Sequence, residues 1–392
     1  MRIGIQASTL SGRRTGINNY CYSMISALAD IDASLEFLSA NVFGWHRVAI
    51  SEIASQSETE VAFAGANRAG FPQLVFDRLK KIEFARSLYE KSRELSLSRV
   101  YQKGGIRLFH AFNYVPPAEP SAPTLPVVYD LSFIRYPEMH PTERLRRLST
   151  LGKYIERSQI VHTISEFSKR EIMNVYGVRA DKIFVAYPAA ASHFRPLGRA
   201  ITQHDINNFG LTLEKYFLAV GTLEPRKNLR TLIAAYANLS IADRARFPLV
   251  VVGGQGWGEM NLPAATNALV QEGSLRFVGF TSDAGLRSLY EGARLMLYPS
   301  VYEGFGMPVV EAMACGTPVA HSSETSMDEI AGDLAIRISA LDIEAWTNCL
   351  RSAIHDNAAI APIKRQNLVL RARCFDWVLG AREIRRAYGE IS

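Results

Sequence analysis

Two short segments of this sequence carry side chains whose types and spacing suit chemistry on a phosphate-bearing ligand. The first, YPSVYEGFGMPVVEAMACGTP from Tyr298 to Pro318, sets Glu303 and Glu311 on either side of a glycine-rich loop, Gly304-Phe305-Gly306, with Met307, Pro308 and Val309 opening a helix. Proline is tolerated at a helix start because its missing N–H would have no partner there. Bare N–H groups and the positive end of the helix dipole make such a start a favourable place for phosphate. Glu311 is expected in the first turn of that helix. Two carboxylates flanking an anion site suit hydroxyl groups, one set on a sugar and the other on the ribose of a nucleotide. A carboxylate beside a diphosphate is repelled unless cations are at hand. The second segment, GTLEPRKNL from Gly221 to Leu229, supplies them as Arg226 and Lys227, with Thr222 in the same loop. Arginine grips phosphate oxygens bidentately and lysine acts as a mobile point charge, so the pair suits a leaving diphosphate. Loss of such a contact typically costs on the order of 3 kcal/mol of transition-state stabilisation. The bland alternative is a tight turn with solvated charges. The dipole disfavours cations at a helix start, which argues for a functional reason.

The elements that must position these residues are legible. RIGIQA, RLFHAF, PVVYD, QIVHTIS and KIFVAY read as strands in the first half, with helices over Ile17 to Ala29, Pro141 to Arg157 and Ser165 to Tyr176. YFLAVGT, FPLVVVGG, SLRFVGF, RLMLYPS and TPVAHSS read as strands in the second half, with helices over Asn228 to Asn238 and Asp283 to Glu291. Strands alternating with helices predict an α/β chain of parallel sheets. Tyr187 to Gln203, with Pro188 and Pro196, reads as a linker. The expected division is a first domain over 1–188 and a second over 201–375. An amphipathic helix over 376–392 is expected to return to the first domain. Two such domains form a cleft at the carboxyl ends of their strands, where open parallel sheets place ligands.

With 392 residues and 48% hydrophobic content, the chain is long enough for two cores. It holds no apolar run long enough to span a membrane, and its start reads as a core strand rather than an export signal. Cys21, Cys315, Cys349 and Cys374 lack metal-ligand spacing and are expected to be reduced and mostly buried. His110, His140, His162 and His193 form no ligand motif, and Asp30-Ile31-Asp32 reads as a turn; no metal site is expected. Trp257 and Trp377 are expected to pack rather than stack on ligand. A net charge of +6 favours anionic partners without choosing among them.

EGFGMPVVE resembles the acidic E-x7-E motif of the retaining glycosyltransferases of family 4. GTLEPRKNL, VVGGQGW, RFVGFTSDAGL and HTISEFSKREI stand in the order that family shows, so the resemblance runs from about Val127 to the C-terminus. It is strongest toward bacterial mannosyltransferases of O-antigen and capsule assembly. The resemblance implies a GT-B fold: two Rossmann-like domains facing across a cleft, the first binding the acceptor and the second the nucleotide-sugar donor. It implies that Glu303 contacts the donor sugar, Glu311 the ribose, and Arg226 and Lys227 the diphosphate. Phe305 to Val309 would offer backbone amides, and Val278, Gly279, Phe280 and Leu286 would line the base. Gly16, in the loop SGRRTGINNY, would face the donor from across the cleft. Where the family often has histidine at the end of the strand PVVYD, this chain has Tyr129-Asp130, and Asp130 is either a catalytic candidate or a turn residue. The activity implied is metal-independent, retaining hexosyl transfer without a cofactor, from GDP-mannose first and a UDP-hexose next. The acceptor would be a glycan or lipid-linked glycan, and no nucleic-acid partner is expected.

Two rivals belong to other classes. A dehydrogenase would need GxGxxG after the first strand, where the chain offers SGRRTGINN. A sugar-nucleotide-binding protein would keep the pocket without turnover. Phe71 to Lys103 carries eight Lys/Arg against four acids with interleaved apolar residues. It reads either as a helix packed on the first domain or as a segment lying on an anionic membrane. The expected location is the cytoplasm, with peripheral attachment to the inner membrane face under the second reading.

Overall fold

The structure is a computed structural model that describes residues 1–6, 16–41, 44–48, 96, 98–103, 105–355 and 364–391. Among them, β1 (Arg2–Ile5), β2 (Glu36–Asn41), β3 (Gly44–Arg47), β4 (Leu108–Ala111), β5 (Thr124–Val128), β6 (Val161–Thr163) and β7 (Ile183–Val185) form one sheet. Its order is β3-β2-β1-β4-β5-β6-β7, parallel except for the β2–β3 edge pair. A second sheet, wholly parallel, contains β8 (Phe217–Val220), β9 (Leu249–Val252), β10 (Leu275–Gly279), β11 (Leu295–Tyr298), β12 (Val319–Ser322) and β13 (Ile336–Ile338). Its order is β10-β9-β8-β11-β12-β13.

The apolar runs explain the second sheet. Successive strand residues point to opposite faces. Phe217, Ala219, Leu249, Val251, Leu295 and Leu297 enter one buried cluster, while Leu218, Val250, Val252, Met296 and Tyr298 enter another. Helices cover both faces, so the interior strands β8, β9 and β11 are apolar at every position. Strand order reverses at β1 in the first sheet and at β8 in the second. The chain leaving β8 and the chain leaving its neighbour β11 therefore diverge, opening a crevice at their carboxyl ends.

The C-terminal helix Trp377–Glu390 is capped by Asp376, which accepts from the Val378 and Leu379 amides. It packs on helix Gly16–Ile31 of the first domain, as expected. Arg385 Nε lies 2.6 Å from Asp32 Oδ2. Asp32 also accepts from the Ser34 amide and hydroxyl, so Asp30 and Ile31, expected in a turn, end the helix and Asp32 opens the turn that follows. A buried polar chain joins the same elements: Tyr388 Oη to His110 Nδ1 at 2.7 Å, His110 Nε2 to His162 Nδ1 at 3.0 Å, His162 Nε2 to Tyr20 Oη at 2.8 Å, and Tyr20 donating to the Ala186 carbonyl at 2.9 Å. One proton per link satisfies this chain with both imidazoles neutral. Burial drives both histidines down accordingly, His162 to about 3.

Several expectations change. Pro141 to Arg157 is two helices, Thr142–Leu148 and Leu151–Arg157. The expected linker contains the start of helix Arg199–Ile206, which buries Thr202 and Ile206 and ties Asp205 to Arg287 of helix Asp283–Gly292 at 2.8 Å. Two buried positions one turn apart were too few to register as periodicity. Of the basic stretch Phe71 to Lys103, the part through Leu95, together with Leu97, lies outside the described residues. Val100 and Tyr101 near its end are buried, with the Tyr101 ring 5.1 Å from Trp45 and 5.3 Å from Phe109. Cys21, Cys315 and Cys349 are buried and Cys374 is exposed. No described helix is long and apolar enough to cross a membrane.

Candidate active site

The loops leaving β8 and β11 meet. Pro225–Lys227 is a single 3-10 turn, followed by Asn228 at φ 54 and then helix Leu229–Ala237, so Arg226 and Lys227 precede the helix they were expected to open. Lys227 Nζ lies 2.6 Å from Glu303 Oε1, and Arg226 Nη1 lies 2.9 Å from Glu303 Oε2. Glu224, buried two positions earlier, takes the other end of the guanidinium at 2.7 Å. Ser300 and Tyr298 hydroxyls donate to Glu303 Oε1 at 2.5 and 3.2 Å. Burial alone would raise the Glu303 carboxyl, but Arg226 and Lys227 outweigh it and hold the group at about 2. Burial alone would lower Arg226, and Glu303 with Glu224 carries it above its ordinary value instead. The two cations thus face two carboxylates, a neutral cluster at the crevice floor.

The glycine loop is placed by close packing. A Cβ on Gly304 would stand 2.0 Å from the Tyr129 carbonyl oxygen of the first domain, so only glycine fits. Gly306, at φ 100, ends the loop and starts helix Met307–Ala314 with Pro308 in its first turn. Phe305 is buried at the domain junction, its ring 6.2 Å from Tyr187 and 5.5 Å from Phe375. Met307 and Pro308 are partly exposed and Val309 is buried. Glu311 lies beyond the first turn, correcting the expectation: the helix starts at Met307, which puts Glu311 in its second turn. Tyr290 donates to it at 2.9 Å, and burial raises its carboxyl to about 7.

Val278 and Leu286 pack against the core, Gly279 turns at φ 74, and Phe280 is 75% exposed at the end of β10. Thr222 is exposed beside the β8 loop, and Gly16 is the exposed first residue of its helix. Asp130 Oδ1 accepts from the Ser132 amide and hydroxyl, a turn-forming arrangement, and the Tyr129 hydroxyl is spent on the Phe112 carbonyl. Among the described residues no group of three or more His, Cys, Asp or Glu is gathered as metal ligands.

The family described as Glycosyl transferases group 1 matches residues 203–373, the stretch that contains both loops. Over 365 residues, 93% of each chain, the sequence is 30% identical to the O-antigen chain mannosyltransferase B of Escherichia coli. The chain belongs to the group 1 glycosyl transferases. It is also 27% identical over 230 residues to the serotype-specific mannosyltransferase WbdA of Escherichia coli, spanning 57% of this chain but only 28% of that relative. Among solved structures, Anabaena Alr3699/HepE in complex with UDP and glucose superposes with a TM-score of 0.67 over the full length of both chains at 17% identity, which establishes the GT-B fold.

Sequence reasoning missed several residues that hold this glycosyltransferase's site together. Asn228 donates to the carbonyls of Pro299 at 3.1 Å and Ala340 at 2.7 Å, tying the β8 loop to those after β11 and β13. Ser326 donates to the Glu303 and Phe305 carbonyls. From the first domain, Ser165 and Ser168 donate to the Gly304 carbonyl at 2.6 and 3.2 Å. Glu329 of the second domain accepts from the Glu166 and Phe167 amides, both at 2.9 Å, capping a first-domain helix. The sequence placed Ser165 at the start of a helix; that it caps this helix and reaches across the cleft was not visible.

Proposed function

We propose that this enzyme transfers mannose from GDP-mannose, with retention and without a metal, to a glycan or lipid-linked glycan of O-antigen or capsule. The reading is carried by the 30% identity over 93% of the chain to an O-antigen chain mannosyltransferase. The crevice fits it chemically. Arg226 and Lys227, both in the loop after β8, would neutralise the diphosphate as the bond to the sugar breaks. The amides of Gly306 and Met307 would donate to phosphate oxygens, since Pro308 has no N–H and that of Val309 is bonded to the Gly306 carbonyl. Glu303 would exchange its cation contacts for donor-sugar hydroxyls, and Glu311 would accept from the ribose. The acceptor hydroxyl would form the new bond on the same face as the departing diphosphate, whose phosphate oxygen takes the proton. Gly16, Thr222, Val278 to Phe280 and Leu286 would complete the donor site, and Asp130 would serve as a turn residue facing it. In this reading the enzyme is cytoplasmic, attached peripherally to the inner membrane face through the basic stretch before Lys103.

A UDP-hexose donor is the second reading, favoured by the UDP bound in the Anabaena structure. Mass-spectrometric detection of transfer from GDP-mannose and from UDP-hexoses to lipid-linked oligosaccharides, with and without EDTA, tests the donor and the metal independence. Transfer from GDP-mannose that survives EDTA is expected. Transfer only from a UDP-sugar would refute the donor assignment, and loss with EDTA would refute metal independence.

A further inference from the structure

Buried polar atoms almost always have partners, so a local concentration without them points to a ligand. Among the described residues, four such atoms lie in segments beside the donor crevice, both ring nitrogens of His140, Arg144 Nε and Arg226 Nε, and with them stands the buried Tyr114 hydroxyl, against the Asp130 backbone. They come from separate elements, the loop after β4, the segment after β5, helix Thr142–Leu148 and the loop after β8. Trp257 of the second domain closes the group. Its Nε1 donates to the Met139 carbonyl at 2.9 Å, its ring lies 6.2 Å from that of His140, and the Arg144 guanidinium sits 5.5 Å over it. Charges at Asp130, Arg144 and Arg226 act on both Tyr114 and His140, so these groups lie within electrostatic reach of one another.

Tyr114 is held there against its own preference. It is fully buried at φ 66, a left-handed conformation unusual for a bulky side chain. Gln6 fixes the turn, donating to the Val115 carbonyl at 2.8 Å and accepting from the Asn113 amide at 3.3 Å. Strain of this kind concentrates at ligand clamps.

The chemistry of the set selects the ligand. A phenol donates and accepts, a guanidinium edge donates, and a carboxylate accepts. Burial, then the neighbouring Arg144, drives His140 down to about 4, so near neutrality its imidazole both donates and accepts. An indole face completes the set. Mixed donors and acceptors on planar groups beside an aromatic ring suit the alternating hydroxyls and C–H faces of a sugar ring better than a phosphate, which would want cations alone. We infer that Tyr114, Asp130, His140, Arg144 and Trp257, with the Nε edge of Arg226, form the subsite for the terminal hexose of the acceptor. The inference rests on the glycosyl-transfer reading above. It adds that acceptor recognition is shared by both domains, so the subsite is complete only when Trp257 reaches Met139.

The test measures binding of methyl α-mannopyranoside, and of the glucoside, galactoside and N-acetylglucosaminide as a panel, by saturation-transfer NMR on the full chain saturated with GDP. GDP affinity is titrated separately by calorimetry. Glycoside binding by the wild type is expected, weakened about tenfold or more in His140→Ala, Arg144→Ala and Trp257→Ala, with His140→Gln recovering part of it and GDP affinity unchanged throughout. Retained GDP binding also shows that each variant is folded. Unchanged glycoside binding in the three alanine variants would overturn the assignment. So would a wild type that binds GDP but none of the glycosides, or variants that lose GDP instead. A wild type that binds no nucleoside diphosphate would sink the underlying donor reading, a separate result.

Discussion

Exchange of Glu303 for glutamine isolates the electrostatics of the crevice. Arg226 and Lys227 hold the Glu303 carboxyl at about 2 rather than its ordinary 4.5, even though the group is buried. At about 1.4 kcal/mol per pH unit, the ionised carboxylate contributes roughly 3 kcal/mol to folding stability at neutral pH. The sign follows from the depressed native value. Above pH 4.5 both native and unfolded carboxyls are ionised and the contribution is complete; between 4.5 and 2 the unfolded chain takes up a proton first, and the contribution disappears. Glu303→Gln keeps the shape, removes the charge and leaves Glu224 alone against two cations. Denaturant unfolding of wild type and variant should therefore differ by about 3 kcal/mol at pH 7, with the gap closing as pH falls below about 4.5. A variant as stable as the wild type at pH 7, or a gap unchanged at pH 3, would show that solvent screens this cluster and that the argument is wrong.

The same substitution has an opposite effect on ligand. With Glu303 present, the two cations are already matched; without it, the cluster carries a surplus positive charge. Calorimetry should show GDP binding about tenfold more tightly to Glu303→Gln, while transfer falls by at least about a hundredfold because the donor sugar loses its carboxylate. Weaker GDP binding would mean that Glu303 does not compete with phosphate for Arg226 and Lys227.

Three further outcomes follow from the geometry. Gly304→Ala drives a methyl into the Tyr129 carbonyl, so kcat should fall about tenfold or more with GDP affinity kept, and small-angle scattering should report a more open molecule. Glu311 has its native carboxyl raised to about 7, so an ionised form able to accept from ribose grows between pH 6 and 8; GDP affinity should rise over that range and flatten in Glu311→Gln. His110 and His162 are held neutral below the ordinary histidine value of 6.5, so as pH falls below 6.5 the unfolded chain binds protons that the native chain refuses. Unfolding free energy should decline by up to about 1.4 kcal/mol per pH unit for each, and Tyr388→Phe, which removes the first donor of that chain, should cost about 1–3 kcal/mol at pH 7.

The interior strands were readable because both faces are covered, leaving apolar runs bounded by glycine and proline, and the reactive loops sit where those runs end. Three strands were not: EFLSAN mixes polar with apolar positions, GWHR is four residues long at the sheet's edge, and IRI carries an exposed arginine. Within the site, the sequence announced Arg226 and Lys227 as cations but could not show that Glu303 already engages both. Glu224 stands in the same motif, yet its role depends on backbone extended at φ −138 and ψ 154, which turns its carboxylate back to the guanidinium. Asn228, Ser326 and Glu329 act across sequence separations that no local pattern encodes. His140 read as a scattered histidine because its neighbours arrive from three other segments.

Glu303 and Gly304 are consecutive, and this adjacency couples charge to domain position. The carboxylate of one residue is fixed by second-domain cations, while the carbonyl of the next is fixed by first-domain Ser165 and Ser168. In the proposed reading, a donor diphosphate that draws Arg226 and Lys227 away from Glu303 would free this side chain while the serines still hold the next residue. The carboxylate would then stay at the cleft, because Gly304 cannot retreat without breaking two hydrogen bonds and the Tyr129 contact. Glu329 reinforces the same side by capping Glu166 and Phe167, so the helix that carries Ser168 is anchored to the second domain through its amides. Under the proposed donor reading, binding of the diphosphate and approach of the acceptor domain would therefore act on two consecutive residues, and the carboxylate that matches Arg226 and Lys227 here would be the one presented to the sugar.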